Sequence, residues 1–264
     1  MTHIAVDRKV MRGTVRTGKN KSGLCVVSVW MGEQRLVSGQ EKVAAKSHEK
    51  TAIPTPLPSL ALKDTLVSID AIACEKANAD LIVKGQVHYL LALKKNQPAI
   101  YEQVHQRMQQ TKGQLVYDEH IDFGSGRIET RRCYVETDLT FYDDLRPWTH
   151  LKSLIMIEAK RETEGKISEQ TRYYLSDLAL SPAAFNYHVR YHWSIENQLH
   201  WSLDMVFHED QQRIRTGYGA ENFATVRKLA LRLLYRVDNG ESIKSRRKSA
   251  GWDDNYLLQV LTHF

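Results

Sequence analysis

The sequence predicts an α/β fold: a mixed sheet with flanking helices, and a β-rich insertion ahead of one chemistry-bearing helix. Three observations lead there. The first third holds β-rich apolar runs separated by turns, two of them ending in an aspartate, Asp7 and Asp70. Strand-like and helix-like patterns then alternate up to about residue 110. Solvated strand patterns follow, and after them comes the run Arg190-Tyr-His-Trp-Ser-Ile-Glu-Asn-Gln-Leu-His-Trp-Ser-Leu-Asp204.

The elements follow in order. Thr2 to Val6 is a short strand ending at Asp7, and the basic stretch Arg8 to Gly23, with Arg16, Lys19 and Lys21, reads as a loop. Leu24 to Trp30 is rich in β-branched residues and predicts a strand, with a turn at Met31 to Gln34 and a returning strand from Arg35 to Val43. Glu49 to Leu60 is limited to a short helical piece by Pro54, Pro56 and Pro58. Thr65 to Ile69 predicts a strand ending at Asp70. Cys74 to Lys84 predicts a helix closed by Gly85, then Val87 to Leu93 a buried strand and Pro98 to Gln110 a helix. Gly113 to Gly126 is acidic and reads as a loop. Gly126 to Thr137, Leu151 to Lys160 and Ile167 to Leu175 read as strands, the last two joined by the charged tip Glu162 to Lys166. Ser181-Pro182 has the form of an N-cap with proline in the first turn of a helix that runs to about Phe207. Asn222 to Arg236 is a second amphipathic helix, Lys244 to Lys248 a basic run beside a loop, and Asp253 to Leu261 a closing helix.

On the long helix, at roughly 100° per residue, Ile195, Leu199, Ser202 and Val206 share one face. Arg190, Trp193, Asn197, His200 and Asp204 fall near the opposite face, with Glu196 on its shoulder. Two strand-end aspartates and a helical glutamate suggest a two-metal phosphoryl-transfer site. Magnesium takes oxygen ligands and keeps several waters, so a few carboxylates suffice. The plainer alternative is that Asp7 and Asp70 merely cap the turns that follow them. His188 and His192 have the spacing of a zinc pair, but no HExxH and no cysteine accompanies them, so packing or DNA contact is the better reading. His208-Glu209-Asp210 with Arg213 and Arg215 is either a second polar cluster or a salt-bridged helix end. Lys94 and Lys95, followed by Asn96 and Gln97, close a site strand and suit phosphate contact. Tyr191, Trp193 and Trp201 either stack on an exposed base or pack in the core.

Composition narrows the class. The 264 residues, 42% of them hydrophobic, suit one large domain or one domain with an insertion. A formal charge of +6 fits a nucleic-acid partner without establishing one. The cysteines Cys25, Cys74 and Cys133 form no CxxC pair, which argues against a zinc knuckle or disulfide framework and points to a reduced, cytosolic setting. No secretory leader or membrane-length apolar run is read.

The run Val189 to Asp204, with Phe207-His-Glu-Asp210 and Arg213-Ile-Arg215, resembles the H-repeat-associated transposases of bacterial insertion sequences. So do Ile4-Ala-Val-Asp-Arg-Lys9 with Arg12-Gly13, Lys46-Ser-His-Glu49 with Ala52-Ile-Pro54, Ser68-Ile-Asp-Ala71, and Leu91 to Gln97. The resemblance runs in order over nearly the whole chain. It implies a DDE transposase with a ribonuclease-H-like core, over 1–96 and 176–237. A helix and β-rich insertion over 97–175 and a basic tail over 238–264 complete the layout. By the same likeness Asp7, Asp70 and Glu196 form the catalytic triad and hold two Mg²⁺ or Mn²⁺ ions. Arg190 and Trp193 match the arginine and tryptophan before the family's glutamate. Lys94, Lys95, Arg190, Trp193, Asn197, Arg213 and Arg215 are the expected DNA contacts. The implied partners are terminal inverted repeats and target DNA, with a homodimer in the synaptic complex, no membrane, and a cytoplasmic, nucleoid-associated location.

Two departures stand out. Arg8 follows the first aspartate where the family has glycine, and alternation on a strand points it away from the Asp7 face. The family also carries a segment ahead of its first aspartate, so a truncated transposase is expected. The competing reading is a catalytically inactive, DNA-binding remnant.

Overall fold

In the computed structural model, His3–Met11 forms one nine-residue strand, β1, and Asp7 sits in its middle rather than at its end. The described residues are 1–15, 23–43, 62–71, 74–95, 97–124, 126–148 and 150–262. The expectations for Arg16, Lys19, Lys21, Lys46 to Glu49, the Glu49 to Leu60 piece with Ala52 to Pro54, and Asn96 lie outside them. The described chain divides into two units, one built from 1–4 and 62–192 and the other from 5–43 and 193–262.

In the first unit, β4 (Leu66–Ile69) lies parallel to β5 (His88–Leu93), and α1 (Lys76–Lys84) makes the crossover that a parallel pair requires. The Leu66 N–H donates to the Thr2 carbonyl at 2.9 Å, which sets the opening of the chain beside β4. All four residues of β4 are buried, the mark of a strand covered on both faces. Beyond β5 the strands run antiparallel in the order β5, β9 (Lys166–Ser176), β8 (Ser153–Thr163), β7 (Arg127–Glu136), β6 (Tyr117–Gly124). The β8–β9 turn places Glu164 and Gly165 at φ 49° and 73°, the left-handed pair of a tight two-residue hairpin. α3 (Pro182–His192) lays Phe185 and Val189 on Leu66, Leu90, Ala92, Ile155, Ile157 and Tyr174. Burying each such side chain contributes roughly 1.5–3 kcal/mol. As expected, α3 is entered through Ser181, whose Oγ accepts from the Ala184 N–H. α2 (Pro98–Thr111) buries Val104 and Met108.

Strand β6 corrects the loop expected at 113–126. Its apolar residues Tyr117, Ile121 and Phe123 are exposed, so no buried face marks it. Eight paired residues on β7, from Tyr117↔Tyr134 to Gly124↔Arg127, hold it as a strand.

In the second unit, β1 from Ala5 onward pairs antiparallel with β2 (Leu24–Met31), which pairs with β3 (Leu36–Val43). Asp7 stands opposite Ser28. The seven-residue β1–β2 ladder carries Asp7, Arg8 and Lys9 within a strand, which is why the strand does not stop at the first charge.

The single long helix is also corrected. After α3 the chain forms a π-helical segment, Ile195–His200, and then α4 (Trp201–Met205). A π turn bonds i to i+5, and it shifts the phase of every following residue against a 3.6-residue wheel. Ile195, Leu199 and Leu203 nevertheless join Ala5, Trp30 and Leu231 in one core. α5 (Gly219–Arg236) buries Ala224 on Met11 and Val26. The basic run Lys244 to Lys248, expected beside a loop, lies inside α6 (Ile243–Trp252), nucleated by Ser242, whose Oγ accepts from the Ser245 N–H at 3.1 Å. α7 (Asp254–Thr262) closes the chain, its Val260 packed with Leu234 and Val237.

Candidate active site

Asp7 and Glu196 belong to the second unit, Asp70 to the first. Asp7 is half-buried on β1. The Nδ1 of His200 lies 3.4 Å from its Oδ2. His200 was expected on the polar, outward row and is in fact only 8% exposed. The π turn before it accounts for the rotation. Glu196, four residues earlier, is exposed, and so is Asn197. Trp193 is half-buried.

Lys9 shares the Asp7 face, since alternate strand residues point the same way. Its Nζ lies 2.6 Å from Asp204 Oδ1, 3.1 Å from Glu209 Oε2 and 3.4 Å from Asp210 Oδ1. Burial disfavours the Lys9 charge, but the pull of Glu209 and Asp204 outweighs it and raises the pKa. His208-Glu209-Asp210 is therefore the partner of β1, the salt-bridged reading of that motif. Arg215 donates to the Gly13 carbonyl at 3.0 Å, and Arg213 is exposed. Deeper in the unit, Lys228 donates to Ser28 Oγ at 2.8 Å and to Gln40 Oε1 at 2.6 Å.

In the first unit Asp70 follows β4 directly, as expected, and accepts from Lys94 Nζ at 2.9 Å. Burial works against its ionisation. The Lys94 bond, the Ala71 N–H and the nearby charges outweigh burial and hold its pKa below the usual carboxylate range. Lys95 is exposed. Behind Asp70, on the same face of β4, Ser68 Oγ lies 2.8 Å from both His3 Nε2 and His192 Nδ1. The rings of His3 and Tyr191 stack with centroids 4.4 Å apart, and His188 Nδ1 approaches His3 Nδ1 at 3.1 Å. His188 and His192 thus pack around His3 and Ser68 rather than form a zinc pair. Burial lowers both their pKa values, that of His192 to about 4. Nothing in the sequence beyond the lone polar residue in a buried strand marks this network.

Arg190 is engaged by the β6–β7 hairpin, at 3.5 Å from Asp122 and 3.4 Å from Glu129. Glu129 is 5% exposed and also meets Arg161 at 3.2 Å. Within neither unit do three described His, Cys, Asp or Glu side chains stand close enough to hold a metal ion by themselves.

Residues 1–233 match the family described as Transposase DDE domain. The chain belongs to the DDE transposases. Among its relatives, YncI of Escherichia coli O157:H7, named as a candidate transposase, is 36% identical over 269 residues, covering 98% of this chain and 68% of YncI. YhhI of Escherichia coli K12, named as an H repeat-associated candidate transposase, is 34% identical over 275 residues, covering 98% of this chain and 71% of YhhI. The fold is similar to that of the piggyBac transposase in a synaptic complex with hairpin DNA. That likeness has a TM-score of 0.51 at 10% identity and covers 99% of this transposase but only 54% of the piggyBac chain. The expected ribonuclease-H-like class, a mixed sheet with flanking helices, is thereby borne out. The matched family makes the chain a member of a DNA-cleaving class of enzymes. No helix among the described residues is long and apolar enough to cross a membrane.

Proposed function

We propose that this transposase cuts and joins DNA at the ends of an insertion sequence, with Asp7, Asp70 and Glu196 as the metal-binding carboxylates. The observation that carries the reading is the placement of two of them in one unit: Asp7 on β1 meets His200, one helical turn after the exposed Glu196. The donor chemistry supports it as well. Three carboxylates offer the hard oxygen ligands that Mg²⁺ or Mn²⁺ takes, and Asp70 is held ionised. When bound, a metal pair would neutralise the scissile phosphate and lower the pKa of the attacking water or 3′-hydroxyl.

The chain's own groups do the rest. His200 holds Asp7 in place from the helix side. Lys94 supplies a cation at Asp70 and would be placed to meet a phosphate oxygen beside it. Lys95 and Arg213, both exposed, are the readiest phosphate contacts, with Lys94, Arg190, Trp193, Asn197 and Arg215 as the further proposed DNA contacts. The proposed core comprises 1–96 and 176–237, with 97–175 inserted. Terminal inverted repeats and target DNA are the proposed partners, bound by a homodimer on nucleoid DNA in the cytoplasm.

The test is nicking and joining of DNA that carries candidate terminal repeats, with Mg²⁺ or Mn²⁺ and with chelator. Metal-dependent nicking followed by joined products supports the reading. Cleavage without any joining reduces it to a nuclease, and DNA binding without cleavage to an inactive remnant.

A further inference from the structure

We propose that Lys9 is a positioning residue for Asp7 and Glu196, locking the register of the glutamate-bearing helical segment against strand β1. The proposal rests on the reading of those two carboxylates as metal ligands. It concerns the second unit alone.

Two rows of side chains meet there rung by rung. On β1, Asp7 and Lys9 are two residues apart and share a face. On the helical segment, Glu196, His200 and Asp204 follow at steps of four. The first rung is Asp7 with His200, at 3.4 Å; the second is Lys9 with Asp204, at 2.6 Å. The spacings agree: two strand residues advance roughly 6.7 Å, and four helical residues roughly 6 Å. Both rungs therefore close together, and a slip of one residue on either element opens both.

The second rung is the fixed one. The Lys9 side chain is 10% exposed and that of Asp204 33%, and the fully buried Glu209 carboxylate holds the same ammonium at 3.1 Å. Asp204 comes from α4, Glu209 and Asp210 from the turn Glu209–Gln211 that follows. The end of β1 seats that turn tightly. The Arg12 N–H donates to Asp210, and a Cβ on Gly13 would stand 2.4 Å from the Gln212 carbonyl oxygen. A buried ion pair is a weak source of stability, and its best-attested use is to specify register. Here the register it specifies sets where Glu196, one turn beyond His200, stands with respect to Asp7.

The experiment uses the 264-residue chain with Lys9→Met, Lys9→Arg and Asp204→Asn, plus Val260→Ala as a control that weakens a core away from the rungs. Two quantities are measured. One is the Mg²⁺ concentration for half-maximal nicking; the other is amide hydrogen exchange over 195–205 in metal-free protein. Loss of a supporting partner of a metal ligand costs on the order of 10-fold in metal affinity or more. Lys9→Met and Asp204→Asn should therefore raise the Mg²⁺ midpoint about 10-fold and speed exchange over 195–205. Lys9→Arg should keep both near wild type. Val260→Ala should lower the melting temperature and move neither. If Lys9→Met does not fold, Asp204→Asn decides. A folded Asp204→Asn with wild-type midpoint and wild-type exchange overturns the proposal alone. Wild-type protein that nicks no DNA with either metal, or nicking that survives Glu196→Gln, overturns the reading of the site and the proposal with it.

Discussion

The imidazole of His200 meets the carboxylate of Asp7 at 3.4 Å, four residues after Glu196. Strand β1 and the π-helical segment are thereby joined beside two of the carboxylates proposed to bind metal. A π turn at this point is in keeping with the frequent occurrence of such turns at functional sites.

Asp7→Asn, Asp70→Asn and Glu196→Gln should each abolish metal-dependent nicking while leaving the fold. Glu196 is exposed, so its substitution should change unfolding free energy by no more than about 0.5 kcal/mol. Circular dichroism melts beside a plasmid-nicking assay check this. Residual metal-dependent activity in Glu196→Gln would remove that residue from the site.

Lys9→Met should cost about 3–5 kcal/mol, because it strands the buried Glu209 carboxylate without its cation. Urea unfolding at pH 7 measures the loss. A loss below about 1 kcal/mol would mean that water reaches Glu209.

Acid should destabilise the first unit through His3 and His192. Burial, reinforced by His188 and His192, lowers the His3 pKa to about 2. Burial also lowers that of His192 to about 4, against the opposing pull of Asp70. The unfolded imidazoles take protons near pH 6.5, so below that pH the unfolded chain binds more protons than the folded one. Stability should fall as pH drops from 6.5 toward 4, by about 1.4 kcal/mol per pH unit for each imidazole. His3→Asn with His192→Asn should flatten the profile in that window. A profile as steep as wild type in the double variant would assign the effect elsewhere. Separately, Ser68→Ala should cost about 1–3 kcal/mol, since it removes the hydroxyl that both imidazoles share at 2.8 Å.

DNA affinity should depend steeply on salt. Each phosphate contact releases counterions, so Lys95→Ala and Arg213→Ala should each reduce the slope of log affinity against log salt by about one. Fluorescence anisotropy at several salt concentrations reads this. An unchanged slope in both variants would place the DNA on another surface.

Much of the scaffold was written locally in the chain. The apolar run before Asp70, the helix closed by Gly85, Pro98 at the start of α2, and the charged β8–β9 tip each carry their signal in a few neighbouring residues. The apolar face of Ile195 and Leu199 was equally plain, because burial of that face is a matter of side-chain spacing. The candidate triad was nameable as well, through three carboxylates in telling places and the family likeness. What the tertiary structure decided are features that depend on a distant partner. Asp7 lies inside a strand because the β2 ladder continues past it, and β6 is a strand because β7 pairs with it. The π turn that brings His200 onto Asp7 leaves no mark on a 3.6-residue pattern. The carboxylate nest of Lys9 and the two imidazoles on Ser68 are likewise set by partners far along the chain. A hydrogen bond or ion pair across two hundred residues has no local periodicity, so only the folded chain shows it.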